Sequence, residues 1–155
     1  MQIEFSLFSR DVLHNGEKAA LDELGIGLVA FSPLGRGVLS SGVRSLDDLA
    51  PDDARRSLPR FQPEAFAANL ALVDRVRAIA DAKGATVAQV ALAWLMAQGV
   101  VPIPGTRRRS RLDENAAAVE VTLSAGDLDQ LAAALSVGEI AGGRDYADHA
   151  VGVDR

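Results

Sequence analysis

The chain has 155 residues, 48% of them hydrophobic and 24% charged, with a formal net charge of -5, which fits one domain with a real core. The acidic balance argues against nucleic acid as a bulk partner, and the absence of cysteine excludes disulfides and thiolate metal sites. No stretch reaches the length of a membrane span, and MQIEFSLFSR lacks the charged and apolar regions of a signal peptide, so a soluble cytoplasmic protein is expected.

Residues 2–8, QIEFSLF, read as a strand. GEKAALDELG places Ala20, Leu21 and Leu24 on one helical face, and Gly25 stops that helix. IGLVAFSPL is a nearly continuous apolar run, the pattern of a strand buried on both faces. A loop rich in Gly, Ser, Asp and Pro follows over residues 35–61, a length usually associated with function or mobility. Pro63 suits the first turn of a helix carrying Leu70, Val73, Val76 and Ile79, with Gly84 as its end. Thr86 and Gln89 form a capping box for ALAWLMAQG, whose Trp94 reads as packing. VVPIP is a short third strand, RRSRLDENAAAVE a helix, and Ser124 with Asp127 a second capping box for DLDQLAAAL.

This order describes an α/β fold with parallel strands and right-handed crossovers. Residues 1–135 form the folded part, and residues 136–155, which are Gly-rich, form a tail. The chain opens directly on a strand, and three parallel strands would leave two long apolar edges unpaired. The expectation is a piece of something larger.

The most informative stretch is VPIPGTRRRSRLDEN, where an acidic chain gathers Arg107, Arg108, Arg109 and Arg111. A buried strand ending at Pro104, a tight Gly105–Thr106 turn and an immediate helix bring free N–H groups and the positive helix end together. Such a corner favours an anion, and guanidinium groups add bidentate phosphate recognition. Alternatively, the arginines form a solvated helix start, although cations there oppose the helix dipole. An RNA patch is disfavoured because no aromatic residue interleaves to stack bases.

IPGTRRRSRLDEN resembles the cofactor-binding segment of aldo-keto reductases, at the eighth strand and helix of a (β/α)8 TIM barrel. VAFSPLGRG resembles the family's seventh-strand motif, with Phe31 where Tyr is common, and QIEFSL resembles the sixth strand. RFQPEAFAANLALVDRVRAIADAKGATVAQVALAWLMAQG is similar to the family's helical stretch, and GGRDYADHAVGVDR to its tail. The resemblance covers essentially the whole chain in order. It implies a partial barrel of three parallel strands with flanking helices, and NADP(H) as cofactor.

By that resemblance Gln2 would bond the nicotinamide carboxamide and Phe31 would stack on its ring, losing only a hydroxyl relative to Tyr. Ser32, Leu34, Gly35 and Arg36 would lie along the pyrophosphate. Thr106 and Arg111, helped by Gly105 and Arg107, would bind the 2′-phosphate, and Glu114 and Asn115 would reach the adenine. Read without the resemblance, Phe31 is core and Gln2 the end of a frayed strand. Gly35 and Gly37 are then turn glycines, and Glu114 and Asn115 surface residues.

The family's carbonyl chemistry uses a Tyr general acid with Asp, Lys and His, all on strands and loops preceding the equivalent of Gln2. In this chain Tyr146 lies in the tail, Lys18 and Lys83 read as solvent-facing helix residues, and His14 and His149 lie in a turn and the tail. No catalytic and no metal-binding residue is assigned. The chain then corresponds to the last three strands of the barrel: a truncated gene product, a misplaced start, or a half needing a partner chain. Three functions follow. One is part of an NADPH-dependent oxidoreductase, inactive alone. Another is a nucleotide-binding module without chemistry. The third is an interaction protein pairing through open sheet edges with itself or an N-terminal barrel half.

Overall fold

The computed structural model describes residues 1–40, 42–135 and 138–143. Three parallel strands, β1 (Gln2–Glu4), β2 (Val29–Phe31) and β3 (Val101–Pro102), form one sheet in that order. Helix α1 (Glu17–Glu23) links β1 to β2. Helices α2 (Pro63–Ala82) and α3 (Val87–Ala97) precede β3, and α4 (Arg109–Ala116) and α5 (Ala125–Ala134) follow it.

The strands are shorter than their sequences suggested, and each end has a local cause. Ser6 Oγ accepts from the N–H groups of Phe8 and Ser9, folding QIEFSLF into a turn after Glu4. At the other edge Pro102 and Pro104 lack the N–H that a longer ladder would need. The expected long apolar edges are therefore short.

Register decides which face is buried. Gln2, Val29 and Val101 stand side by side, as do Ile3, Ala30 and Pro102, and alternation sends the two rows to opposite faces. The Ala30 row continues into Phe5, Leu28 and Val100, all buried in the core with Val73, Val76, Val90 and Leu95. Trp94 meets the Phe5 ring edge-on, 5.3 Å between centroids, as packing requires. The Val29 row is not covered in the same way: Val101 is 62% exposed, Ile103 45%, and Phe31 only half-buried. Burial of IGLVAFSPL on both faces, and a buried strand leading to Pro104, are thus corrected. Among the described residues, helices cover one side of this sheet only.

Both capping boxes form. Thr86 with Gln89 starts α3, and Ser124 with Asp127 starts α5, where Lys83 adds an ion pair to the Asp127 carboxylate. Gly25 and Gly84 follow α1 and α2 with φ of 64° and 62°, the left-handed stop that glycine permits. Helix α1 buries nothing fully: Leu21 is half-buried and Leu24 69% exposed, so the expected apolar face is weak. Its Lys18 side chain folds back on Asp22.

Of the tail, residues 138–143 are described, while Tyr146, His149 and the rest of RDYADHAVGVDR lie outside the described residues. Asn69 of α2, 1% exposed, donates to the Ala141 carbonyl (2.9 Å) and accepts from the Ala141 N–H (3.0 Å). Replacing Asn69 by Ala leaves the backbone groups of Ala141 without these partners and opens a small void. Asn69→Ala should cost about 1–3 kcal/mol in urea unfolding and expose residues 138–143 to proteolysis. Unchanged stability and cleavage would show that this anchor does not hold.

Candidate cofactor-binding site

A cleft of about 710 Å³ opens between the turn after β2, the loop at residues 40–55, and the corner joining β3 to α4. It falls in the size range of small-molecule sites. Ser32, Leu34, Arg36, Gly105, Thr106, Arg107, Arg111 and Asn115, all singled out from the sequence, line it. The long loop supplies the outer wall, through Ser40, Gly42, Val43 and Arg55.

The inner wall is strained. Ser32 and Arg36 have φ of 51° and 56°, a left-handed conformation that side chains disfavour, and Gly35 and Gly37 share it at 56° and 102°. The Gly37 N–H donates to the Leu34 carbonyl and the Leu39 N–H to the same oxygen, closing the turn. Strain of this kind persists only where surrounding contacts fix it. On β1, Glu4 is buried, accepts from Ser9 Oγ (3.1 Å), and stands 3.7 Å from the Arg36 guanidinium.

At the β3–α4 corner the Thr106 hydroxyl accepts from the Arg108 N–H (3.2 Å), turning the chain into α4. Arg108 is the N-cap, and the first turn contains no acidic residue, so its N–H groups keep their positive end. Arg111, one turn on, pairs with Glu114 (3.4 Å). Its guanidinium also reaches across the cleft to within 3.4 Å of where a Gly42 side chain would begin. Glycine at position 42 keeps that space open.

Four expected residues stand elsewhere. Gln2 is exposed at the start of β1 and Phe31, next to Ser32, is half-buried, both on the uncovered sheet face. Gly35 faces the core side chains of Leu39 and Phe8. Glu114 turns its carboxylate toward Arg111, and its carbonyl accepts from Gln89 Nε2.

Sequence reasoning missed Arg108 as a lining residue, and Arg55 altogether. The signal for Arg55 was there: DDARRS sets arginines beside aspartates inside a long loop. Arg55 Nε and Nη2 donate to both carboxylate oxygens of Asp53 (2.9 and 2.7 Å), and Nη1 donates to the Arg36 carbonyl (2.8 Å). The hydrogen-bonded Asp53 carboxylate, two residues before it, raises the Arg55 pKa. Side-chain bonds from Arg55, then its backbone N–H, hold the Asp53 carboxyl down at about 2.

The cleft therefore presents Arg36, Arg55, Arg107, Arg108 and Arg111, and among the described residues no carboxylate lines it, in a chain of net charge -5. The described residues contain no group of three potential metal ligands and no helix long and apolar enough to cross a membrane. An extended, polyanionic ligand is what this geometry accommodates.

The sequence model of the Aldo/keto reductase family matches residues 1–136, and the chain belongs to that family. It is 42% identical over 149 residues to probable aldo-keto reductase 1 of Glycine max, covering 94% of this chain and 42% of that protein. It is 40% identical over 148 residues to the NADP(+) aldo-keto reductase yakc of Schizosaccharomyces pombe, covering 93% and 44%. The chain thus spans less than half the length of these relatives.

A thermostable aldo-keto reductase solved with epalrestat superposes with a TM-score of 0.59 at 28% identity, over 86% of this chain and 38% of that one. The glycerol dehydrogenase of Gluconobacter oxydans gives 0.76 at 24% identity, over 87% and 42%, and speaks for the fold alone. The open three-stranded sheet is accordingly part of a (β/α)8 barrel.

The Asp53–Arg55 pair has a pH signature. Because the Asp53 pKa is depressed from 3.8 to about 2 in the folded chain, its contribution is full above the ordinary value and is lost as pH falls through about 2. Between about pH 4 and pH 2 the wild-type chain should lose more thermal stability than Asp53→Asn, measured by circular dichroism. Asp127, also near 2 through Lys83 and Ser124, titrates alike in both proteins. Parallel pH profiles would show that the pair is energetically silent.

Proposed function

We propose that this chain carries the NADP(H)-binding part of an NADPH-dependent carbonyl oxidoreductase. The observation behind the reading is the cleft lined by arginines and, among the described residues, by no carboxylate, at the end of a parallel sheet. The donor set fits the cofactor: guanidinium groups and a helix start at one end suit the 2′-phosphate, and the tight turn at the other suits a pyrophosphate. Arg111 and Thr106, with Gly105 and Arg107, take the 2′-phosphate. Ser32, Leu34, Gly35 and Arg36 follow the pyrophosphate, and Asn115 with Glu114 meets the adenine. Phe31 and Gln2, on the uncovered face, receive the nicotinamide. When bound, NADPH supplies the hydride.

This chain's residues bind and orient; none is proposed as the proton donor. Lys18 and Lys83 are ion-paired with Asp22 and Asp127. His14 is exposed in the turn that follows residues Asp11–Leu13. Carbonyl reduction then depends on groups outside the described residues, with residues 1–135 as the binding unit.

The uncovered sheet face supports a second, compatible reading as an interaction surface. Val101 and Ile103, 62% and 45% exposed, lie on it. A complementary barrel half or another copy of the chain would bury them.

Cofactor choice tests the first reading. NADPH should bind more tightly than NADH, and Arg111→Ala should abolish the difference. Loss of one charge-assisted contact is worth about 1.5–3 kcal/mol, roughly 10- to 100-fold in affinity. Equal affinities in the wild type, unchanged by Arg111→Ala, would remove the assignment.

The isolated chain is expected to associate beyond a monomer in light scattering and to consume no NADPH with an aromatic aldehyde. A compact monomer that turns over NADPH would overturn both the surface and the division of labour.

A further inference from the structure

Arg55 comes from the loop rather than from either wall that the sequence pointed to, and its contacts are unusual. Its planar group spans two partners at once: the Asp53 carboxylate along one edge and the Arg36 carbonyl from Nη1. Nη1 also sits 3.0 Å from where a side chain at Gly37 would begin, so the approach exists because Gly37 has none. The Phe61 ring supports the guanidinium from 5.9 Å. Arg36 is therefore gripped at both ends, its side chain by buried Glu4 of β1 and its carbonyl by Arg55 of the loop.

We infer that Arg55 is a positioning residue that clamps the Ser32–Gly37 turn to the loop and so sets the pyrophosphate end of the cleft. The argument is mechanical. The turn holds two non-glycine residues at positive φ, so it relaxes unless something outside it fixes the peptide. Helix packing does not reach the Arg36 carbonyl, whereas Arg55 does. Because Asp53 occupies the other edge of the fork, Arg55 keeps one orientation rather than sampling several. A lysine has a single donor head and cannot hold the carboxylate and the carbonyl in that geometry. The clamp acts on the end of the cleft opposite Thr106 and Arg111, and it separates two recognition tasks: the turn for the phosphates shared by both nicotinamide cofactors, the α4 corner for the 2′-phosphate. This inference rests on the dinucleotide reading of the cleft for its functional consequence, though not for the clamp itself.

The test combines hydrogen exchange on the ligand-free full chain with titration by NADP+, NAD+ and 2′,5′-ADP. In Arg55→Met, amides of Gly37, Val38 and Leu39 should exchange about tenfold faster, while those of α3 keep their wild-type rates and report an intact fold. NADP+ and NAD+ should both weaken by about tenfold, with 2′,5′-ADP unchanged. Arg55→Lys should resemble Arg55→Met, and Arg111→Ala should show the reverse selectivity, losing NADP+ and 2′,5′-ADP but sparing NAD+.

Unchanged exchange over residues 37–39, or full rescue by lysine, would overturn the clamp. Equal losses for 2′,5′-ADP and NADP+ in Arg55→Met would overturn its assignment to one end of the cleft. Faster exchange in a chain whose wild type binds none of the three nucleotides would uphold the clamp and bring down the dinucleotide reading instead.

Discussion

The one-sided burial of the sheet governs everything else in this molecule. Parallel pairing in strict register puts Ile3, Ala30 and Pro102 on one face and Gln2, Val29 and Val101 on the other. Helices α2 and α3 cover the first face, and burial of Phe5, Leu28, Val73, Val76, Leu95 and Val100 there stabilises the fold. The second face keeps large apolar residues in water. A closed barrel has no such face, because interior side chains from the remaining strands fill it. The same closure would pair the outer edges of β1 and β3, whose shortness here limits how much backbone they leave unpaired.

Much of this was legible in the sequence, for identifiable reasons. The capping boxes at Thr86 and Ser124 are local, needing only a short polar side chain three residues before a partner, and both formed. The long α2 helix announced itself by Pro63 and a sustained helical spacing. The strand lengths did not. A run such as IGLVAFSPL shows hydrophobicity but not which neighbours arrive to cover it, and here Val29 and Phe31 on one face stay only half-buried. The Ser6 turn replaces the end of β1 with side-chain bonds that alternation of apolar residues cannot reveal.

The site divides along the same line. Thr106, Arg107 and Arg111 sit at the strand–turn–helix corner after β3, neighbours in the sequence whose place together on the cleft wall follows from chain order. Arg55 needed the tertiary fold, because only folding of the long loop brings it onto the Arg36 carbonyl. Glu114 also needed the fold. The resemblance alone gave it a role at the adenine, and the fold adds what chain order could not show, that its carboxylate faces Arg111. The residues of an i, i+3 pair on a helix stand within easy reach of one another.

That pairing bears on how the cleft stays both soluble and ready. Gathering guanidinium groups in one concave region raises their mutual repulsion, which the chain offsets with carboxylates placed behind the lining and not within it: Glu4 behind Arg36, Asp53 behind Arg55, Glu114 beside Arg111. Each carboxylate orients its arginine while leaving other N–H donors of the fork free to face a ligand. A carboxylate inside the cleft would neutralise the field and compete with phosphate for the same donors. Placed behind, each carboxylate holds its arginine in one orientation without adding negative charge to the cleft lining. The acidic surplus of the whole chain and the cationic character of its cleft are then two consequences of one arrangement.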